Sequence, residues 1–187
     1  MGRKTMISRD VILSTAFRML VEDGYDSVNI KTLSQKIGCS TQPLVWHFGN
    51  MDGLRRELSE YARRIAIEKV TAVSSEGIEG FLQLGVNYIK VAIEEKNLFR
   101  YVFMNGCGTY VADGLSAFSL SGDNALITQG VSDALGISQE QAARSVEDLS
   151  VYANGLATYI ATGVLDITAE EAKERLYFVG KVLFGIK

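Results

Sequence analysis

At 187 residues the chain is long enough for one domain, or for a small one beside a larger one, and its 47% of apolar residues supply an ample core. Two cysteines, Cys39 and Cys107, exclude a disulfide framework and point to reduced thiols in a cytoplasmic protein. A single proline favours long uninterrupted helices, and no apolar run is long enough to span a membrane.

The net charge of −3 is unevenly spread. Residues 1–73 hold eleven Lys and Arg against eight Asp and Glu, net +3, whereas residues 74–187 hold eight against fourteen, net −6. A basic N-terminal part beside an acidic remainder suits a DNA-facing head on a body that repels DNA. Met1-Gly-Arg-Lys is followed by polar residues rather than by the apolar core of a signal peptide.

In chain order, Arg3, Lys4 and Arg9 form a basic lead-in, either an arm that touches phosphates or a solvated tail. Ser8 is placed to cap a first helix whose buried stripe is Leu13, Ala16, Phe17 and Leu20, with Gly24 closing it. Asn29 precedes a second helix with Ile30, Leu33 and Ile37 on one face, and Gly38 stops it. After a tight turn, Ser40 is expected to cap a third helix from Thr41, with Pro43 in its first turn, where a missing N–H is harmless. Leu44 and Phe48 point inward there, and Thr41, Gln42, Val45 and Trp46 outward. Two short helices joined by a Gly-containing turn predict a helix-turn-helix. Its second helix offers base-edge readers where an ordinary surface helix carries Lys and Glu. Trp46 either reaches DNA or closes the three-helix core, and His47 either meets a phosphate or packs on the motif.

Asn50 is expected to cap a fourth helix from Met51 to about Ser74, whose first N–H groups suit a phosphate. Helix five then runs from about Ile78 to Glu95, with Phe81, Leu84, Gly85, Tyr88 and Ala92 on one face, and Asn97 caps a short helix, Leu98–Met104. The Gly- and Ser-rich stretch 105–122 is too apolar for a linker and reads as a packed, adjustable loop over a cavity. A seventh helix starts at Asp123, and Ser138 with Gln141 begins a long eighth helix to about Thr162. Ala153, Ala157 and Ala161 recur there at every fourth position, which lets a partner helix approach closely. Thr168 caps the last helix, whose Leu176, Val179 and Leu183 make an apolar repeat that a second copy of the chain would cover.

Ala16-Phe17, Gly24-Tyr25, Leu33, Ile37-Gly38, Ser40, Leu44, His47-Phe48, Asn50 and Leu54 together resemble the tetracycline-repressor (TetR) family of bacterial transcription regulators over roughly fifty residues. Val45 stands where that family usually has Tyr, and Met51 where it usually has Lys, both of which normally help to hold the DNA backbone. The resemblance implies an all-α homodimer of about nine helices. Residues 1–50 would form the three-helix DNA-binding head, 51–74 a connecting helix, and 75–187 a ligand-binding and dimerisation body. The expected DNA-binding residues are Arg3, Lys4, Lys31, Ser40, Thr41, Gln42, Pro43, Val45, Trp46, His47 and Asn50. Helices eight and nine would pair with their mates through Ala153, Ala157, Ala161, Leu176, Val179 and Leu183. A small molecule would bind among helices five to eight. The candidate lining is Phe81, Leu84, Tyr88, Tyr101, Met104, Tyr110, Phe118 and Tyr152, with Asn87 and Asn154 among its few neutral polar groups, so a largely apolar effector is expected.

Catalytic patterns are missing from the sequence. The single His lies in the helix-turn-helix, no G-x-S-x-G, P-loop, H-E-x-x-H or dinucleotide fingerprint occurs, and Cys39, His47 and Cys107 lack metal-ligand spacing. The expectation is a regulator, most simply a repressor, with no enzyme activity, cofactor or metal. Its partners would be operator DNA, a small effector and itself. The alternative is a ligand- or protein-binding module with weakened DNA binding.

Overall fold

The computed structural model describes residues 7–104 and 124–186. Arg3, Lys4, Cys107, Tyr110, Phe118 and the stretch 105–122 lie outside the described residues. Among the described residues the chain forms nine α-helices and no strand. They are α1 (Arg9–Asp23), α2 (Ile30–Ile37), α3 (Gln42–Phe48), α4 (Met51–Val70), α5 (Gly77–Glu94), α6 (Lys96–Phe99), α7 (Asn124–Leu135), α8 (Gln139–Ala161) and α9 (Ala169–Phe184). A 3-10 turn at Tyr25–Ser27 and a π-helical turn at Arg100–Met104 complete the set. The chain divides into two compact units between Ile65 and Ala66, so α4 belongs to both.

Helix ends follow the capping chemistry. Ser8 accepts from the Val11 N–H, and Ser138 with Gln141 and Thr168 with Glu171 form reciprocal capping boxes that satisfy otherwise orphan donors. Asn29 forms another with Thr32. Two expected caps are absent. The residue before α3 is Thr41, which makes no side-chain cap, so Ser40 lies one place too early. Asn97 lies inside α6, whose preceding residue is Glu95. Helix α4 also ends at Val70, four residues short of the expected Ser74. There Thr71 Oγ1 donates to Ile67 O at 2.8 Å, and Asn87 Nδ2 lies 3.1 Å from both Val70 O and Ala72 O. Thr71 Oγ1 thus shares Ile67 O with the Thr71 N–H, and the Asn87 amide takes up the Val70 and Ala72 carbonyls that further helix would have used.

In the first unit, Ile12, Ala16 and Leu20 of α1, Leu33 of α2, Leu44 and Phe48 of α3, and Leu54, Leu58 and Ala62 of α4 make one apolar core. The stripe of α1 is turned about one position from the expected one, since Leu13 and Phe17 are only half-buried. Phe17 instead meets Tyr61 edge-on, with ring centroids 5.2 Å apart.

In the second unit α5 is central, packed by α6, α7, α8 and α9. Glycines permit the closest approaches. A Cβ on Gly85 would lie 2.7 Å from Leu176 Cδ2, and one on Gly180 would lie 2.6 Å from Leu82 Cδ2. Leu176 is fully enclosed by this packing, a burial that contributes about 1.5–3 kcal/mol.

The small-residue ladder has a different role from the expected one. Ala153, Ala157 and Ala161 are buried in the protomer's own core, as is Leu176, so none can meet a second chain. Short side chains at i, i+4 and i+8 admit close neighbours within the same chain, and spacing alone does not tell these from an outside partner. Val179 and Leu183 are half-buried. The outward side of α9 carries Phe178 and Val182 instead, 70% and 66% exposed.

Candidate functional site

The outer side of α3 is built by what lies beneath it. Leu44 and Phe48, one turn apart, are drawn into the head core and fix the helix in rotation. Thr41, Gln42, Val45 and Trp46 are thereby exposed together, and Pro43 and His47 flank them half-buried. Trp46 is 69% exposed, which sets aside its reading as a core-closing hydrophobe. Ser40, Lys31 and Asn50 are also exposed.

His47 has a specific partner. Its Nε2 lies 2.9 Å from the Ile7 carbonyl oxygen, and a carbonyl only accepts, so the ring nitrogen carries the proton. This contact ties the segment before α1 to α3, forty residues away, which neither of the two sequence readings included. Arg9 is similarly engaged: its guanidinium pairs with Glu57 and lies 5.7 Å from the Phe48 ring centroid. Arg9 thus anchors the start of α1 on the neighbouring helices.

The turn between α3 and α4 is held by Asn50 and Gly53. Asn50 Oδ1 accepts from the Gly53 N–H at 2.9 Å, the cap expected of it. Asn50 N–H in turn donates to Phe48 O at 2.9 Å. A Cβ on Gly53 would lie 2.0 Å from that Phe48 oxygen, so only glycine fits. Sequence reasoning missed Gly53, although an isolated glycine in the first turn of a helix is a signal of close backbone approach.

The aromatic candidates of the body fall into separate groups. Phe81 packs on Phe184, with ring centroids 6.1 Å apart, whereas Tyr88 packs on Phe99 and Phe103, each at 5.0 Å. Tyr88 and Tyr101 are buried, and Leu84, Met104 and Tyr152 are half-buried. Tyr88 donates its hydroxyl proton to Asn154 Oδ1 at 2.8 Å, and burial pushes the phenol well above its ordinary range. Asn87 faces the end of α4, where Gln83 Nε2 donates to its Oδ1 at 3.2 Å. A cleft of about 330 Å³ lies beside it, lined by Lys69, Ala72, Asn87, Lys90, Val91, Glu94 and Glu95. Its charges are largely matched, by Lys69 with Glu95 at 2.7 Å and Lys90 with Glu94 at 3.6 Å. Among the described residues no cluster of His, Cys, Asp and Glu could hold a metal, and no helix is long and apolar enough to cross a membrane.

Residues 12–58, which contain this helix-turn-helix, match the family model described as bacterial regulatory proteins, tetR family. The chain carries a TetR-family head. Solved structures extend the similarity of fold along most of the molecule. A Rhodococcus sp. chain described as a TetR-family transcriptional regulator aligns at a TM-score of 0.63 and 16% identity, covering 94% of this chain and 98% of that one. A TetR-like transcriptional regulator from Rhodococcus sp. RHA1 aligns at 0.62 and 15%, covering 96% and 99%. A TetR variant from Acinetobacter baumannii AYE, in complex with minocycline, aligns at 0.52 and 15%, covering 96% and 95%. No curated protein matches the sequence. At such identities the structures speak for a shared fold, and the TetR head with an all-helical body is that fold.

Proposed function

We propose that the protein is a ligand-responsive transcriptional repressor that acts in the cytoplasm as a homodimer on a palindromic operator. The observation that carries this reading is the exposed row Thr41, Gln42, Val45 and Trp46 on the second helix of a TetR-type helix-turn-helix. Exposed indole and isopropyl groups cost solubility and add nothing to the core, so a binding surface explains them better than folding does. Residues 1–50 would contact DNA, 75–187 would bind ligand and partner, and 51–74 would link them.

For the dimer we propose the outward residues of α8 and α9, chiefly Val151, Tyr159, Phe178 and Val182, all more than half exposed. The two helices run antiparallel, as Ser145 Oγ donates to Leu183 O at 3.1 Å and Gly180 lies by Leu149. That register brings Val151 to about the level of Phe178, and the interface would draw on both helices there. Val179 and Leu183 would border it.

The effector would be largely apolar and would enter beside Tyr88 and the Phe99–Phe103 pair, competing for the Tyr88–Asn154 hydrogen bond. A shared fold with a minocycline-bound TetR variant supports a small-molecule site in the body. A ligand that prefers a DNA-incompetent arrangement would lower operator affinity by population shift through the shared helix α4.

A gel shift with fragments from the chain's own genome tests the proposal directly. Specific retention of a fragment with two half-sites about one helical turn apart is expected. Retention of none would leave a ligand- or protein-binding module instead.

A further inference from the structure

We infer that α3 reads thymine 5-methyl groups through Val45 and adenine edges through Gln42, so that each half-site has an A·T core and lacks a bidentate cation-to-guanine contact from this helix. The inference rests on the operator binding proposed above and deepens it. At 3.6 residues per turn, successive side chains are about 100° apart, which orders the exposed residues as Thr41, Val45, Gln42 and Trp46 across an arc of about 140°. Val45 therefore sits between Thr41 and Gln42, about 60° round the helix from the buried Phe48, and Trp46 is the residue opposite the buried pair Leu44 and Phe48. The indole of Trp46 borders this row, its ring edge-on to His47 with centroids 4.5 Å apart.

Three features of this surface decide what it can recognise. First, α3 has no Arg or Lys anywhere in Gln42–Phe48, and the nearest cations in the motif, Lys31 and Lys36, belong to α2. The bidentate cation-to-guanine pair, the commonest specific contact in a major groove, is thus unavailable from α3. Second, His47 cannot substitute, because its Nε2 is committed to the Ile7 carbonyl. Third, Val45 is 47% exposed although a β-branched residue is a poor helix former and the inner face is already filled. The only apolar feature that base pairs present in the major groove is the thymine methyl, and Gln beside it has the amide geometry for adenine N6 and N7.

The test uses the full-length protein and a randomised duplex library at one fixed salt concentration. The selected operator is then resynthesised with each thymine singly replaced by deoxyuridine, which removes only the 5-methyl group. At one or more thymines in each half-site, the replacement should weaken binding about fourfold, the effect of one buried methyl. Val45→Ala, checked by circular dichroism for an intact fold, should weaken the thymine operator to a similar degree and abolish the uracil effect. Uracil replacement without effect at every position, or a full uracil penalty surviving in Val45→Ala, would overturn the inference while leaving operator binding intact. A library that yields no selected sequence would overturn the operator reading, and this inference with it.

Discussion

Tyr88 on α5 donates its phenolic proton to Asn154 Oδ1 on α8 at 2.8 Å, inside the aromatic group that includes Phe99 and Phe103. The pair joins two helices of the body by a polar contact set beside their apolar packing. Tyr88→Phe keeps the ring packing and leaves the Asn154 oxygen without this donor. A loss of about 1–3 kcal/mol in chemical denaturation is expected, as for a buried acceptor losing its partner. An unchanged midpoint would show that Asn154 finds another donor at no cost.

Gly53 separates α3 from α4 by tolerating a backbone carbonyl where any other residue would place a Cβ. The obstructing atom is Phe48 O, a backbone atom that also accepts from Asn50 N–H, and it cannot swing aside as a side-chain end can. Gly53→Ala should therefore destabilise the head by roughly 1–3 kcal/mol, despite alanine's better helix propensity. Gly155→Ala is the matched control, since a Cβ there meets nothing within 4 Å, and it should leave protomer stability equal or slightly raised. Thermal melts of both variants would check the contrast.

The outward residues of α9 give a prediction about assembly. Phe178→Glu alters a side chain that is 70% exposed in the protomer, so helix content and the body core should survive. If Phe178 lies in a dimer interface, the variant buries charges without partners and costs several kcal/mol of association. Sedimentation should then show monomers at concentrations where the native chain is dimeric. Leu176→Glu should instead unfold the protomer, because Leu176 is enclosed between α9 and α5. A dimer that persists with Phe178→Glu would move the interface elsewhere.

Tyr177 supplies a pH dependence. Its hydroxyl donates to Glu79 Oε1 at 2.6 Å, and burial, then the hydrogen bond and charge of Glu79, push its pKa up to about 12. An unfolded tyrosine titrates near 10, so the fold favours the protonated phenol. The contribution is fully present below about pH 10 and is lost as pH rises from about 10 to 12. Subtracting the stability–pH curve of Tyr177→Phe from that of the native chain should isolate a decline confined to that window. A flat difference would mean that the Glu79 contact has no effect on titration.

The helices themselves were legible in the sequence because their determinants are local. Ser8, Ser138 with Gln141, and Thr168 with Glu171 cap their own helices, and the expected Asn50 cap on α4 is found on Gly53 N–H. The outer and inner residues of α3 followed from periodicity, since Leu44 and Phe48 fix its rotation. Features that depend on distant neighbours were hidden. The ladder Ala153, Ala157 and Ala161 signalled close approach, but only packing shows that the approach is within the protomer. Nothing in the order of residues links His47 to Ile7 or Asn87 to the end of α4, as these bonds join parts of the chain that folding alone brings together. The sequence by itself determined where the side-chain-capped helices α1, α2, α4, α8 and α9 start and which residues of α3 face outward, because both depend on a few adjacent side chains and one helical period. Tertiary structure decided which apolar surfaces remained open for partners, because exposure is settled only after every other helix has taken its place.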